Sequence, residues 1–333
     1  MRAHRLGMLL LVMSLAAACG GAAGGPASSG SNGPTAPAAP TSVGASPSTA
    51  PPAVLAEVLT RVDVADQPDP VLLTHGSIWV GHYQANGLER VDPASGRVID
   101  TVPARSPIDL VEAFGSVWAV ELTADRVARI DPSTGRVVDR IAVGREPDGI
   151  AAGFGSIWAV NQLEGTLSRI DPGNGKVTGT FPLQGTPLYA TAAFGSVWVT
   201  DTDGNQVMRI DPKTGKTIAN VHTDAVPIHV LAVGSALWVT TFEGGTLQRI
   251  DPGTNRVTAS VAVGDGADGL LLHDGSLWVT TDRANTVVRV DPAGPAVLRV
   301  WDVGTQPHNG VFAKGSFWTA AFDDGKLLRL SLP

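Results

Sequence analysis

The sequence predicts an all-β chain, a seven-bladed β-propeller with four antiparallel strands per blade and an N-terminal strand completing the last blade. Three observations carry this reading. Trp79, Trp118, Trp158, Trp198, Trp238, Trp278 and Trp318 recur at a spacing of 39 and then 40 residues. A second ladder, Arg90, Arg129, Arg169, Arg209, Arg249, Arg289 and Arg329, runs in register with the first. The last repeat offers three strands, and a strand-like segment stands unassigned ahead of the first repeat. Units of about 40 residues with four short strands and large side chains on both faces favour radial closure over a linear stack.

Each unit reads the same way. In the third, strand a opens at Pro147-Asp148-Gly149-Ile150-Ala151, strand b is Ser156-Ile157-Trp158-Ala159-Val160, strand c is Leu167-Ser168-Arg169-Ile170 and strand d is Val177-Thr178-Gly179-Thr180-Phe181. Residues that tolerate positive φ stand between b and c, as in Asn86-Gly87, Glu164-Gly165, Gly204-Asn205, Gly244-Gly245, Ala284-Asn285 and Asp324-Gly325, and predict tight hairpins. Between c and d comes Asp-Pro-x-(Ser/Thr/Asn)-Gly, where Asp accepts from the amides ahead, Pro presets φ and Gly takes the left-handed position. Asn255 replaces that Gly in one unit and suits the same geometry; Asp291-Pro292-Ala293-Gly294-Pro295 does not and predicts a distorted turn. In the last unit strands a, b and c fall at residues 309–313, 316–320 and 327–332. The segment Glu57-Val58-Leu59-Thr60-Arg61-Val62-Asp63-Val64 supplies the fourth strand and closes the ring.

Composition narrows the function. With 24 Lys+Arg against 31 Asp+Glu and no basic stretch, the chain lacks the clustered cations that general nucleic-acid binding needs. A single Cys excludes disulfide scaffolds and Cys-rich zinc sites. Arg2, His4 and Arg5 precede a 13-residue apolar run, Leu6 to Ala18, too short to span a bilayer and suited to a signal h-region. The segment Leu15-Ala16-Ala17-Ala18-Cys19-Gly20 resembles a bacterial lipobox, which makes residues 1–18 a lipoprotein signal peptide and Cys19 the lipidated N-terminus; an ordinary secretory signal containing a Cys is the alternative. Removal of residues 1–18 takes two positive charges from a net charge of −7 and leaves −9. Residues 19–52 read as the lipidated Cys and a Gly/Pro/Ala/Ser linker with no charge, extended by its prolines. The propeller occupies 53–333. The sequence thus points to an exported monomer, held at the extracytoplasmic side of the cell membrane only through its lipid.

Strand alternation places the start of a, the end of b and the b–c and d–a loops on one face, with the Asp-Pro turns opposite. Around the channel mouth on the first face, one or two places after a Pro ladder at strand a, stand Asp69, Asp109, Asp148, Tyr189, His229, Asp268, His308 and Asn309. Three places after each Trp come His82, Glu121, Asn161, Asp201, Thr241, Thr281 and Ala321. The Trp and Arg ladders barely vary and read as scaffold; these positions vary in size and charge and read as site. His82, Asp109, Glu121, Asp148, Tyr189, Asp201, His229, Asp268, His308 and Asn309 are the candidate ligand-binding residues. Asp69, Asp109, Asp148 and Asp268 near one axis suit a hard divalent cation, Mg²⁺ or Ca²⁺, and equally a hydrated polar channel without an ion. His229 or His308 beside Asp268 suits a general base, and equally an imidazole held in place by its carboxylate. No nucleophile elbow, Walker loop, zinc-protease helix or dinucleotide fingerprint appears.

The repeat resembles the extracytoplasmic YVTN-type and streptogramin lyase-like (virginiamycin B lyase-like) seven-bladed propellers across 53–333. The residues that carry the likeness are Gly-Ser-(Ile/Val/Leu/Phe)-Trp followed by Arg-(Ile/Val)-Asp-Pro-x-Thr-Gly, as in Gly155 to Trp158 and Arg129 to Gly135. In the lyases the resemblance implies metal-dependent C–O elimination that opens a cyclic depsipeptide, with an inner-strand His and Glu residues at the strand-b position after Trp. His308 occupies a plausible inner position, but the matching place in its own unit is Ala321, and only Glu121 among the seven is a Glu. The reading that follows is a lipid-anchored propeller binding a small molecule, peptide or envelope component at the channel mouth. A lyase using His229 or His308 with Asp268, Asp109 or Asp148 and a structural scaffold for envelope proteins are the alternatives.

Overall fold

The computed structural model describes residues 50–333. The signal peptide, Cys19 and most of the 19–52 linker therefore lie outside the described residues. Seven sheets follow one another along the chain, at residues 68–105, 107–142, 147–182, 187–222, 227–262, 267–302 and 307–331. We number these blades 1 to 7 and call their strands a to d from the innermost outward. Strand a of each blade contacts strand a of the next, and blade 7 contacts blade 1, so the ring is closed. The only helical element among the described residues is one 3-10 turn, Leu122–Ala124.

The missing strand of blade 7 is Glu57–Asp63, antiparallel to Lys326–Ser331 with Glu57 opposite Ser331 and Asp63 opposite Lys326. Closure by an N-terminal strand is thus observed within one residue of the expected bounds. A further pairing was not foreseen. Val54–Leu55 adds a fifth, parallel strand to the outer edge of blade 6, and the Ala56 amide donates to Asp302 O at 2.8 Å. Two outer edges are covered by one approach of the chain, which leaves fewer unpaired amides on the rim.

The Trp ladder packs between blades. Trp118 of blade 2 lies in one cluster with Ile150, Ile157 and Ile170 of blade 3, and the pattern recurs around the ring. Indole Nε1 donates to the carbonyl five residues earlier in blades 2, 3, 4, 6 and 7, for example Trp118 to Ala113 O at 3.0 Å. A paired indole N–H lets so large a group be buried without an orphaned donor. Trp301 is also core, stacked on Trp278 with centroids 5.3 Å apart.

The Arg ladder explains its own register. Arg209 lies over the Trp198 ring at 4.8 Å, donates through Nε to Ser196 Oγ and through Nη1 to Pro252 O in the Asp-Pro turn of the next blade. Arg129 and Arg169 reach Pro172 O and Pro212 O in the same way. One side chain therefore covers the Trp, holds the Ser before it and ties two blades together. The turn Asp accepts two amides as expected, Asp131 from Ser133 and Thr134 at 2.8 and 3.2 Å. Asn255 takes the left-handed conformation at φ 55°. At Asp291 the carboxylate accepts only from the Ala293 amide, and Pro295, at the left-handed place, has no N–H to donate back to the Asp291 carbonyl as Gly135 does to Asp131 O.

Candidate functional site

The channel mouth is made by bulges. In blade 3, Pro147 is opposite Asn161 and the next paired residues are Ile150 and Ala159, so Asp148 and Gly149 together face Val160. The same shift follows the first residue of strand a in blades 1, 4, 5, 6 and 7, and blade 2 carries a shorter one between Pro107 and Asp109. A bulge re-aims the side chains it contains. Positions one and two after the Pro ladder are those residues, except in blade 2, where Asp109 pairs with Val120 just beyond the bulge.

They join into an arc over five blades. Tyr189 of blade 4 stacks on His229 of blade 5, with centroids 4.0 Å apart and planes at 29°. His229 Nδ1 lies 3.3 Å from Asp268 Oδ1 of blade 6, close enough for charge pairing but without hydrogen-bond alignment. Asp268 Oδ2 lies 3.4 Å from His308 Nδ1 of blade 7, which is also 3.4 Å from Asp69 Oδ1 of blade 1. Asn309 Nδ2 donates to Asp69 Oδ1 at 3.1 Å. On its other edge His308 Nε2 is 3.8 Å from Asp282 Oδ2, and the ring stacks on Phe322 at 4.2 Å. Asp69, Asp268, Asp282 and His308 are buried; Tyr189, His229, Asp109 and Asn309 are partly exposed and form the accessible lip.

These contacts set the charges. Burial opposes protonation of His308, but Asp69 at 3.4 Å and the charges of Asp268 and Asp282 outweigh it and raise the imidazole to about 9. His308 is therefore an imidazolium at neutral pH. His229 is also raised, burial being outweighed by Asp268, Asp109 and Asp69. Asp268 is the converse: burial pushes its carboxyl up, and the two imidazoles bring it below the usual carboxylate range. For Asp109 burial outweighs the charge of His229. Burial pushes it up to about 7, although Ile150 N and Leu110 N both donate to it at 2.8 Å. Tyr189 is raised well above its ordinary value by burial and by Asp69, Asp148, Asp109 and Asp268, which places Asp148 within the field of the same lip.

Several expected residues stand elsewhere. Among the described residues no group of three or more His, Cys, Asp or Glu is arranged to hold a metal ion, so Asp69, Asp109, Asp148 and Asp268 share the mouth without forming a coordination site. The cation among the carboxylates is His308 itself. The places three after each Trp do not face the arc. Asp201 accepts from Thr186 N, Gly204 N and Gln206 Nε2 within its own blade. Glu121 meets Arg105 N and Arg126 Nε, and His82 lies buried 3.3 Å from Glu89 Oε2. Successive residues of a strand point to opposite faces, and it is the next place, four after Trp, that reaches the mouth with Asp282 and Phe322. Both were missed. The sequence signal was available, since that place also varies, from Tyr83 through Phe242 to Asp282 and Phe322.

Fold and mouth together define a seven-bladed β-propeller whose variable chemistry is gathered at one end of its axis on a uniform Trp–Arg scaffold. A family model described as Outer membrane protein assembly factor BamB matches residues 123–265, less than half of the chain. Among solved structures, the selenomethionine-substituted virginiamycin B lyase from Staphylococcus aureus is similar over 82% of this chain and 99% of its own, with a TM-score of 0.71 and 19% identity. A streptogramin B lyase structure is similar over 82% of this chain and 97% of its own, again at a TM-score of 0.71 and 19% identity. The WD40 domain of Neurospora crassa Pan2 is similar over 85% and 98%, at a TM-score of 0.68 and 10% identity. The expected likeness to the streptogramin lyase-like propellers is borne out as a likeness of fold. No curated protein sequence matches the chain. No helix among the described residues is long and apolar enough to cross a membrane.

Proposed function

We propose that this protein is a binding propeller of the cell envelope, exported and lipid-anchored through Cys19, that takes a small molecule or peptide at the channel mouth. The observation that carries the reading is the arc from Tyr189 to Asn309, which joins partly exposed groups to a buried set of charges. Carboxyl groups at the mouth, Asp69, Asp109, Asp148, Asp268 and Asp282, outnumber the two imidazoles. Such a surface fits a ligand that presents N–H donors, such as a peptide amino terminus or a lysine side chain. Elimination chemistry fits less well. A general base needs a free lone pair near neutral pH, and His308 is held as a cation with both ring nitrogens facing carboxylates. The partial match to the BamB family model supports an envelope setting, and scaffolding of envelope proteins is the second reading it favours.

Calorimetric titration of the protein with amine-bearing peptides and with a panel of cyclic depsipeptides, followed by mass spectrometry, tests the proposal. The expected result is saturable one-to-one binding of an amine-bearing peptide, with unchanged ligand mass, weakened at least about tenfold by Y189A/H229A. Ring opening of a depsipeptide that is abolished by His308→Ala would replace it with the lyase reading. Binding that is indifferent to both mouth variants would overturn it.

A further inference from the structure

A second site lies away from the axis, in the groove between the rims of blades 1 and 2. The groove has a volume of about 490 Å³, and its charged lining is Arg105, Arg126, Arg140 and one carboxylate, Glu121. Glu121 is wholly buried. Its Oε1 accepts the Arg105 backbone N–H at 2.8 Å, its Oε2 accepts Arg126 Nε at 2.5 Å, and Arg140 Nε is 3.5 Å from the same oxygen. Arg140 Nη2 donates to Pro103 O at 3.0 Å. Glu121 thus engages both guanidinium groups through Nε. The two Nη groups of Arg126, Nη1 of Arg140 and the whole Arg105 guanidinium have no hydrogen-bond or ion-pair partner among the described residues.

The arrangement is particular to this junction. Where blade 2 has Glu121 and Arg126 paired across strands b and c, blades 3 to 6 have Asn161 with Thr166, Asp201 with Gln206, Thr241 with Thr246 and Thr281 with Thr286. Opposite Ala128, Arg140 stands where blades 3 to 5 have Thr180, Asn220 and Ser260. The pairs of blades 3, 5 and 6 are neutral, the Asp201 carboxylate of blade 4 is held by amide donors, and none of the four contains a cation. Three arginines against one carboxylate, in a protein whose net charge is −7, are not required by the fold.

We propose that this groove binds a phosphate-bearing ligand. Planar guanidinium forks match the oxygens of a phosphate in pairs, and Glu121 holds Arg126 and Arg140 through Nε, which leaves both Nη groups of Arg126 and Nη1 of Arg140 open to a ligand. The surplus of two positive charges matches a phosphomonoester dianion. The volume exceeds a bare phosphate and leaves room for the group it is attached to. A free phosphorylated small molecule and an anionic lipid headgroup share this chemistry.

The test uses the full chain, with inorganic phosphate, glycerol 3-phosphate and vesicles of phosphatidylglycerol in phosphatidylcholine as probes, and citrate as a carboxylate control. Calorimetry and vesicle co-sedimentation should show saturable binding of glycerol 3-phosphate or of the anionic vesicles, at least about tenfold tighter than of citrate. Binding to vesicles alone identifies the lipid as the source; binding of glycerol 3-phosphate that also competes with vesicles identifies the free ester. In either case Arg105→Gln, whose side chain supports no other residue, should weaken binding about fivefold or more, and R105Q/R140Q should abolish it, with the circular dichroism melt of R105Q unchanged. Y189A/H229A should leave this binding intact, which separates it from the channel mouth. Absence of saturable binding to every phosphate probe, preference for citrate, or affinity unchanged in R105Q would overturn the proposal.

Discussion

Asp69 and His308 meet across the seam of the ring, carboxylate Oδ1 to imidazole Nδ1 at 3.4 Å, one from the first blade and one from the last. The outer rim of blade 7 is closed by backbone pairing of Glu57–Asp63, and the inner edge of the same seam is closed by a charge pair. The residues of the candidate site are therefore also part of what holds the ring shut. A binding event there and the stability of the seam are linked quantities.

The imidazolium at that seam makes stability depend on pH in a definite direction. Folding raises His308 to about 9, above the roughly 6.5 of a free imidazole, so its stabilising contribution is complete below about pH 6.5 and is lost as pH rises through 9. Urea unfolding of the native protein should lose on the order of 2 kcal/mol between pH 6.5 and 9.5 from this group. His308→Gln should flatten that slope, and an unchanged slope would show that the charge resides elsewhere.

Asp109 acts over a lower range. Its folded carboxyl is raised to about 7, so the neutral form is the one the fold prefers; the associated stability is present below about pH 4 and disappears as pH climbs through 7. In Asp109→Asn the stability difference between pH 4.5 and pH 8 should shrink by about 2 kcal/mol. The comparison of the two pH values cancels any cost of replacing one amide acceptor.

The closing strand has a face that can be tested residue by residue. Val62 is buried in the cluster with Ile78, Val80 and Trp318, whereas Leu59 of the same strand is exposed. Val62→Asp should cost about 3 kcal/mol or more in urea unfolding, and Leu59→Asp less than about 0.5 kcal/mol. Equal costs at the two positions would contradict the observed pairing with Lys326–Ser331.

Glycines at two kinds of turn should respond differently to one added methyl. At Gly155, φ is +72° and nothing lies within 4 Å of an added Cβ, so Gly155→Ala carries only the backbone strain of about 1 kcal/mol. At Gly215, φ is +68° and the Cβ would run into the Phe181 ring of the preceding blade. Gly215→Ala should therefore lower the melting temperature by at least twice as much. Similar losses would mean that Phe181 moves freely away.

Much of this molecule was legible along the chain because each blade repeats the same local problem. Trp158, Arg169 and Asp171 each perform a task that neighbouring residues define, covering an interface, bridging to the next Asp-Pro turn and holding the Gly173 amide and the Asn174 side chain of its own turn. Repetition made each task visible as a spacing. The arc at the mouth was legible in part, since Asp69, Asp268, His229 and His308 all follow the Pro ladder. The ladder three after Trp was misplaced by a single step of strand alternation, which turned Asp201 into its own blade and Glu121 to the junction with blade 1, and brought Asp282 and Phe322 to His308 instead.

What the sequence alone determined is the unit, its count and its closure, since these depend on contacts within one blade or between consecutive blades. What only the tertiary structure decided is which variable residues meet. His308 touches partners from blades 1 and 6 and Arg105 faces arginines of blade 2, meetings set by the radial arrangement of the ring and the bulges at its inner edge. Charge makes those meetings consequential: whether an imidazole is a base or a cation depends on the carboxylates brought within about 4 Å of it, a distance that spacing along the chain does not contain.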